Sequence, residues 1–202
     1  ERILAFIQAV KYVEKNEIPG SIVECGVWKG GSMLAATQTL LDLGNTNFDL
    51  YLFDTFEGMS KPSEFDISTL NESATEEFSD KEINENSSNW CNAPLIDVQN
   101  ILSKIGYDNS KFHFIKGKVE DTLPEKAPQN ISILRLDTDW YESTKHELIH
   151  LFPRLSKGGV IIIDDYGYWA GAKKAVDEYF LENNISILLN RIDNTGRIGI
   201  KI

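Results

Sequence analysis

Apolar positions recur along most of the chain first at helical and then at strand spacing. Ile3, Phe6, Ile7, Val10 and Val13 share one helical face, and Pro19-Gly20 closes that helix before an apolar run at 21–25. The pattern predicts a helix over 32–43, a strand over 50–53 ending at Asp54, and a helix over 94–105. Residues 112–115 and 131–136 read as the third and fourth strands, the latter ending at Asp137. A helix over 143–155 follows, in which Thr144 and Glu147 have capping-box spacing. Gly158-Gly159 then turns into 160–163, an unbroken apolar run of the kind a parallel strand shows when both faces are buried. Ala172, Ala175, Val176, Tyr179 and Phe180 mark the next helix, and 185–189 with 197–202 read as an antiparallel closing pair. This alternation predicts an α/β fold, a doubly wound sheet that is mostly parallel with an antiparallel C-terminal strand.

Residues 60–92 break the pattern. They are polar, lack sustained periodicity and are too long for an ordinary connection, which suggests an active-site lid or an acidic insertion. Between positions 57 and 86 the chain carries nine acidic residues and two lysines, and most of the overall net charge of −11 lies there. With 202 residues the chain has length for one domain spanning 1–202. The acidic balance, with no basic cluster, argues against nucleic acid as a partner. No run of eighteen apolar residues exists, so no membrane span is expected. Cys25 sits in an apolar strand and reads as a buried reduced thiol, which points to a cytoplasmic protein. The sequence opens on Glu1 rather than Met, as a trimmed piece of a longer chain would.

Open α/β sheets bind ligands beyond the carboxyl ends of their strands. There the sequence places Glu24, Gly26, Gly30 and Gly31, then Asp54, then Gly117 and Asp121, then Asp137 and Asp139, and finally Asp164 and Asp165. The glycines let a ligand approach the backbone, and a helix opening near Ser32 turns free N–H groups toward it. An acid ending the second strand, Asp54, suits the two hydroxyls of an adenosine ribose, in NAD or S-adenosylmethionine alike. Asp137, Asp164 and Asp165 converge from adjacent strands and would repel one another unless a cation neutralised them. Oxygen-only ligands favour Mg²⁺, and hydride transfer needs no such metal, so NAD is the weaker reading. Asp137-Thr-Asp also forms a bare DxD of the kind found in phosphatases and glycosyltransferases, but here on the fourth strand. His113 reads as structural, and His146 with His150 lacks the surrounding HExxH of a zinc helix. Trp28, Trp90, Trp140, Tyr141, Tyr166 and Trp169 all fall near the expected mouth.

Five segments occur in an order that resembles the macrocin O-methyltransferase family: VECGVWKGG at 23–31, FDTFEG at 53–58, EDTLP at 120–124, LRLDTDWYEST at 134–144 and GGVIIIDDY at 158–166. The resemblance implies a Rossmann-like class I methyltransferase, with S-adenosylmethionine and Mg²⁺ as cofactors and a hydroxyl of a sugar or sugar-bearing natural product as acceptor. It puts Glu24, Gly26 and Ser32 in the cofactor pocket, Asp54 on the ribose, and the loop from Gly117 to Asp121 beside the adenine. It makes Asp137, Asp164 and Asp165 metal ligands and Asp139 the general base. Sugar-specific members carry a lid histidine, and none occurs here between positions 60 and 111. Sequence ahead of Glu1 would, in the family, serve dimerisation and site closure, so a homo-oligomer is expected. The competing expectations are a catechol-type phenol O-methyltransferase, an NAD-dependent oxidoreductase and a non-catalytic nucleoside-binding module.

Overall fold

In the computed structural model, which describes residues 1–84 and 87–202, the apolar runs lie in one sheet with helices on both faces. The chain runs α1 (Arg2–Lys15), β1 (Ser21–Cys25), α2 (Gly31–Asp42) and β2 (Leu50–Asp54). Within the acidic segment come α3 (Ala74–Lys81), β3 (Glu82–Asn84) and β4 (Ser87–Ser88), and positions 85 and 86 of the expected lid lie outside the described residues. Then follow α4 (Leu95–Leu102), β5 (Phe112–Lys116), the single turn α5 (Val119–Thr122) and β6 (Ile131–Leu136). The chain closes with α6 (Tyr141–Leu151), β7 (Leu155–Ile163), α7 (Ala170–Glu182), β8 (Asn190–Arg191) and β9 (Arg197–Ile200).

The seven-stranded sheet has the order β5-β2-β1-β6-β7-β9-β8. Its first five strands are parallel, and β9 runs antiparallel to both β7 and β8, as the sequence pattern predicts. Because strand side chains alternate, neighbours serve opposite cores. Ile22, Leu50, Ile133 and Val160 pack with α1, α2 and α4, whereas Val23, Phe53, Leu134 and Ile161 pack with α6 and α7. Strand order reverses beside β1, so a crevice opens at the carboxyl ends of β1 and β6. Among the described residues no helix is long and apolar enough to cross a membrane.

Four local expectations are corrected. The helix expected over 143–155 is α6 followed by a 3-10 turn, Phe152–Arg154, because Pro153 has no N–H to continue it, and Leu155 already belongs to β7. Glu147 makes no capping box: it is fully buried and accepts the Thr138 hydroxyl at 3.0 Å and 3.2 Å through its two oxygens. Gly158-Gly159 does not end an element, since β7 runs through it with Gly158 at φ 80°. Residues 185–189 form no strand. Ile185, Ile187 and Leu189 alternate inward against the α6–α7 core, which gives a strand-like period without a ladder, and pairing with β9 starts only at Asn190.

Candidate active site

Backbone hydrogen bonds carry the parallel ladders one residue past the strands and so align the side chains there. Gly26 N–H donates to the Phe53 carbonyl (2.9 Å), Asp137 N–H to Cys25 (2.8 Å), Asp164 N–H to Leu136 (2.9 Å) and Gly117 N–H to Asp54 (3.0 Å). Gly26 has φ 82°, and a Cβ there would lie 1.9 Å from the Asp137 carbonyl oxygen. A side chain at this position would wedge β1 from β6 where the crevice opens. The resulting cavity is lined by Gly26, Asp54, Met59, Gly117, Glu120 and Asp137. Asp121 is exposed and not part of this wall, which takes Lys118 to Glu120 instead.

Asp54 lines the cavity and also organises its rim. Its Oδ2 accepts the N–H groups of Val27 (2.6 Å) and Trp28 (3.0 Å), and its Oδ1 accepts that of Phe56 (2.6 Å). Trp28 and Phe56 sit at φ 47° and 52°, so the carboxylate supports two strained positions. Glu24 is fully buried on β1; its Oε1 accepts Arg135 Nη1 at 2.7 Å. Its Oε2 has no partner in hydrogen-bonding geometry among the described residues, with the Ser32 hydroxyl close by. Burial pushes the Glu24 carboxyl up to about 7 against the pull of Arg135.

The carboxylates after β6 and β7 come together. One oxygen each of Asp137, Asp164 and Asp165 can be chosen so that all lie within 4.8 Å of one another. Burial, with neighbouring carboxylates adding to it, holds the Asp165 carboxyl well above the usual range, and Asp137 moves the same way although Arg135 opposes it. Asp139 stands beside them with φ 67°, takes the Trp169 indole N–H on Oδ1 at 3.0 Å, and is hydrogen-bonded to Asp165. Burial and then Asp137 raise its carboxyl to about 7.

Convergence alone calls for an outside cation, yet the structure supplies two of its own. Arg135 donates to Glu24, Asp137 (2.7 Å) and Asp164 (2.8 Å), and Arg2 at the start of α1 pairs with Asp164 Oδ2, Asp193 and Thr195. Glu24, Asp137, Asp139, Asp164 and Asp165 thus share this corner with the two guanidiniums. Sequence reasoning overlooks Arg135, although an arginine two residues before Asp137 in an otherwise uncharged strand had to face a counter-charge. Nothing in the sequence singles out Arg2 or Asp66. Asp66, 1% exposed, accepts from Ser63 and from the Tyr141 N–H (2.8 Å), and so caps α6 from seventy-five residues away. Around it the acidic segment packs on the site: the Trp140 indole donates to the Ser60 carbonyl, and Trp90, Trp140 and Trp169 meet edge to face. Tyr141 and Tyr166 donate instead to Glu178 and Asp177, and His113 pairs with Asp49, stacking on Tyr51.

The donor set suits the groups expected here. Three oxygen donors at the carboxyl ends of β6 and β7 match a hard divalent cation, and the unpartnered buried Glu24 oxygen together with the missing Cβ at Gly26 matches a cationic, backbone-hugging cofactor. Comparison with known proteins identifies the family. Residues 1–198 match the family model described as Macrocin-O-methyltransferase (TylF). The chain is 35% identical over 188 residues to a Streptomyces olivaceus protein named 8-demethyl-8-(2,3-dimethoxy-alpha-L-rhamnosyl)-tetracenomycin-C 4'-O-methyltransferase, covering 93% of this chain and 68% of that one. It is 31% identical to demethyldecarbamoylnovobiocin O-methyltransferase of Streptomyces niveus, covering 94% of this chain and 69% of that one. The solved O-methyltransferase NovP superposes with a TM-score of 0.84 at 27% identity, over 99% of this chain and 79% of that chain.

Proposed function

This chain belongs to the macrocin O-methyltransferase family, an S-adenosylmethionine-dependent transferase acting on a hydroxyl of a sugar or sugar-bearing natural product, and from that premise we propose how its residues divide the work. The observation that carries the proposal is the convergence of Asp137, Asp164 and Asp165 beside the Gly26–Asp54 cavity. Glu24, Gly26, Ser32, Asp54 and the loop at Gly117 hold the methyl donor, and Asp137, Asp164 and Asp165 hold Mg²⁺. When bound, the cation supplies Lewis acidity that lowers the pKa of an acceptor hydroxyl, and the donor supplies an already activated methyl group.

Asp139 receives the proton of the hydroxyl that is to be methylated. The Trp169 indole N–H holds this carboxyl in place through Oδ1. Asp54 keeps the 27–28 and 56 backbone in place at the cavity rim, and the segment 60–92 closes over the Trp140–Trp169 wall to exclude water. No covalent enzyme intermediate is needed, because the protein's contribution is alignment and charge placement.

The test is transfer of labelled methyl from S-adenosylmethionine to glycosylated polyketide and coumarin acceptors, starting with rhamnosyl-tetracenomycins. Product methylated at a sugar hydroxyl, lost in EDTA and restored by Mg²⁺, is the expected result. Undiminished transfer in EDTA removes the cation from this reading and leaves the donor pocket.

A further inference from the structure

Arg135 is the charged side chain in the interior of β6, and it is 6% exposed. It lies directly across the ladder from Glu24, the register partner on β1. Its Nη1 donates to both Glu24 Oε1 and Asp137 Oδ2 at 2.7 Å, and its Nη2 donates to Asp164 Oδ1 at 2.8 Å. Three strands thus meet at one planar group: β1 through Glu24, the end of β6 through Asp137, and the end of β7 through Asp164. Asp164 is fixed from its other side as well, since Arg2 takes Oδ2. Like charges this close would otherwise swing apart, and a rigid fork opposes that motion in a way a lysine ammonium cannot.

We propose that Arg135 is a positioning residue of the methyl-transfer reaction, its fork locking Asp137 and Asp164 in register with Glu24 so that the cation-binding carboxylates and the donor wall form one unit. The inference rests on the reading that Asp137, Asp164 and Asp165 hold a divalent cation. A different role, mere counter-charge, predicts the opposite sign: removing a positive charge from an acidic corner tightens the binding of another cation. Positioning predicts weaker binding whether or not the charge is kept, because the ligands lose their orientation.

The test uses Mn²⁺ as the metal probe, read by electron paramagnetic resonance and calorimetry on wild type, Arg135→Lys and Arg135→Gln, with melting curves on the same samples. Both variants are expected to bind Mn²⁺ about 10- to 100-fold more weakly, the usual effect of losing a group that orients a ligand. In Arg135→Lys, kcat should climb back toward wild type at saturating Mn²⁺ while the half-saturating concentration stays high. Unchanged or tighter Mn²⁺ binding in a folded variant overturns the proposal. A wild-type protein that binds no Mn²⁺ overturns the underlying metal reading instead, a separate result. Should both variants unfold, ¹⁵N-arginine-labelled wild type decides the matter: Arg135 guanidinium resonances must shift both with Mg²⁺ and with S-adenosylhomocysteine. Silence toward either one overturns the shared fork.

Discussion

Asp164 and Asp139 stand in one acidic corner, yet substitution should separate their roles. Asp164→Asn keeps the size of the side chain and removes one unit of charge from the cluster, so metal-dependent turnover should vanish while S-adenosylhomocysteine affinity stays within a few-fold by calorimetry. Asp139→Asn should retain Mn²⁺ binding and lose about 10²- to 10⁴-fold in kcat, the usual worth of a positioned base. Wild-type rates from either variant would dismiss its assigned role. Asp193 gives a pH prediction of definite sign. Partial burial alone would raise its carboxyl, but the N–H groups of Gly196 and Thr195 and the Arg2 guanidinium outweigh this and hold it well below the usual range. A depressed folded pKa adds stability above the unfolded value, roughly 4, and loses it as pH falls through the acid range. Asp193→Asn should therefore melt lower than wild type at pH 7, and the gap should narrow steadily as pH falls below about 4. A gap that stays constant with pH would remove the charge from the account. These side chains were legible to different degrees. Asp137, Asp164 and Asp165 stand directly after apolar strands, where chain order alone aims them at the crevice. Glu147 carried a misleading signal, because capping-box spacing and a buried partner for Thr138 look the same in one dimension.

At the scale of elements, glycine and a distant cap hold the site together. Gly26→Ala would put a methyl 1.9 Å from the Asp137 carbonyl at a left-handed backbone position, so β1 and β6 must part at the crevice. The expected outcome is a loss of about 2 kcal/mol or more in urea unfolding together with loss of S-adenosylhomocysteine binding, since both depend on the same approach. Gly58 plays the matching part for the acidic segment: its absent Cβ lets the Ser88 carbonyl approach, and Ser88 N–H donates to Glu57. Asp66→Ala deletes the carboxylate that accepts from Tyr141 at the start of α6 and from Ser63 within the segment. A lost cap of this kind costs about 1 kcal/mol or somewhat more, so melting should fall and proteolysis within 60–92 should quicken. Unaltered cleavage would show that the segment is held by its tryptophan contacts alone. Periodicity found most core helices and strands but only a featureless stretch here. The order in 60–84 and 87–92 comes from Asp66, Trp90 and Ser88 meeting partners far along the chain, and a local pattern cannot register such partners.

For the whole molecule, ligand binding should tighten what the acidic segment covers. Limited proteolysis within 60–92 is expected to slow when S-adenosylhomocysteine, Mg²⁺ and an acceptor are present together, because closure over the tryptophan wall then buries the cleavable backbone. Equal cleavage with and without ligands would reduce the segment to a static cover. The alternation of apolar runs by itself determined the layer architecture, the mostly parallel sheet and the antiparallel end, since parallel strands buried on both faces and amphipathic helices have few other ways to bury their surface. Chain order also determined which carboxylates reach the crevice, because each follows its strand immediately. Only the tertiary structure decided how that concentrated charge is borne. Arg135 reaches Glu24 across 111 positions and Asp164 across 29, Arg2 reaches Asp164 across 162, and Asp66 finds Tyr141 across 75. Hydrophobic period is a property of neighbours along the chain, whereas the compensation of a buried charge depends on which side chains the packed sheet and helices bring within about 3 Å of it.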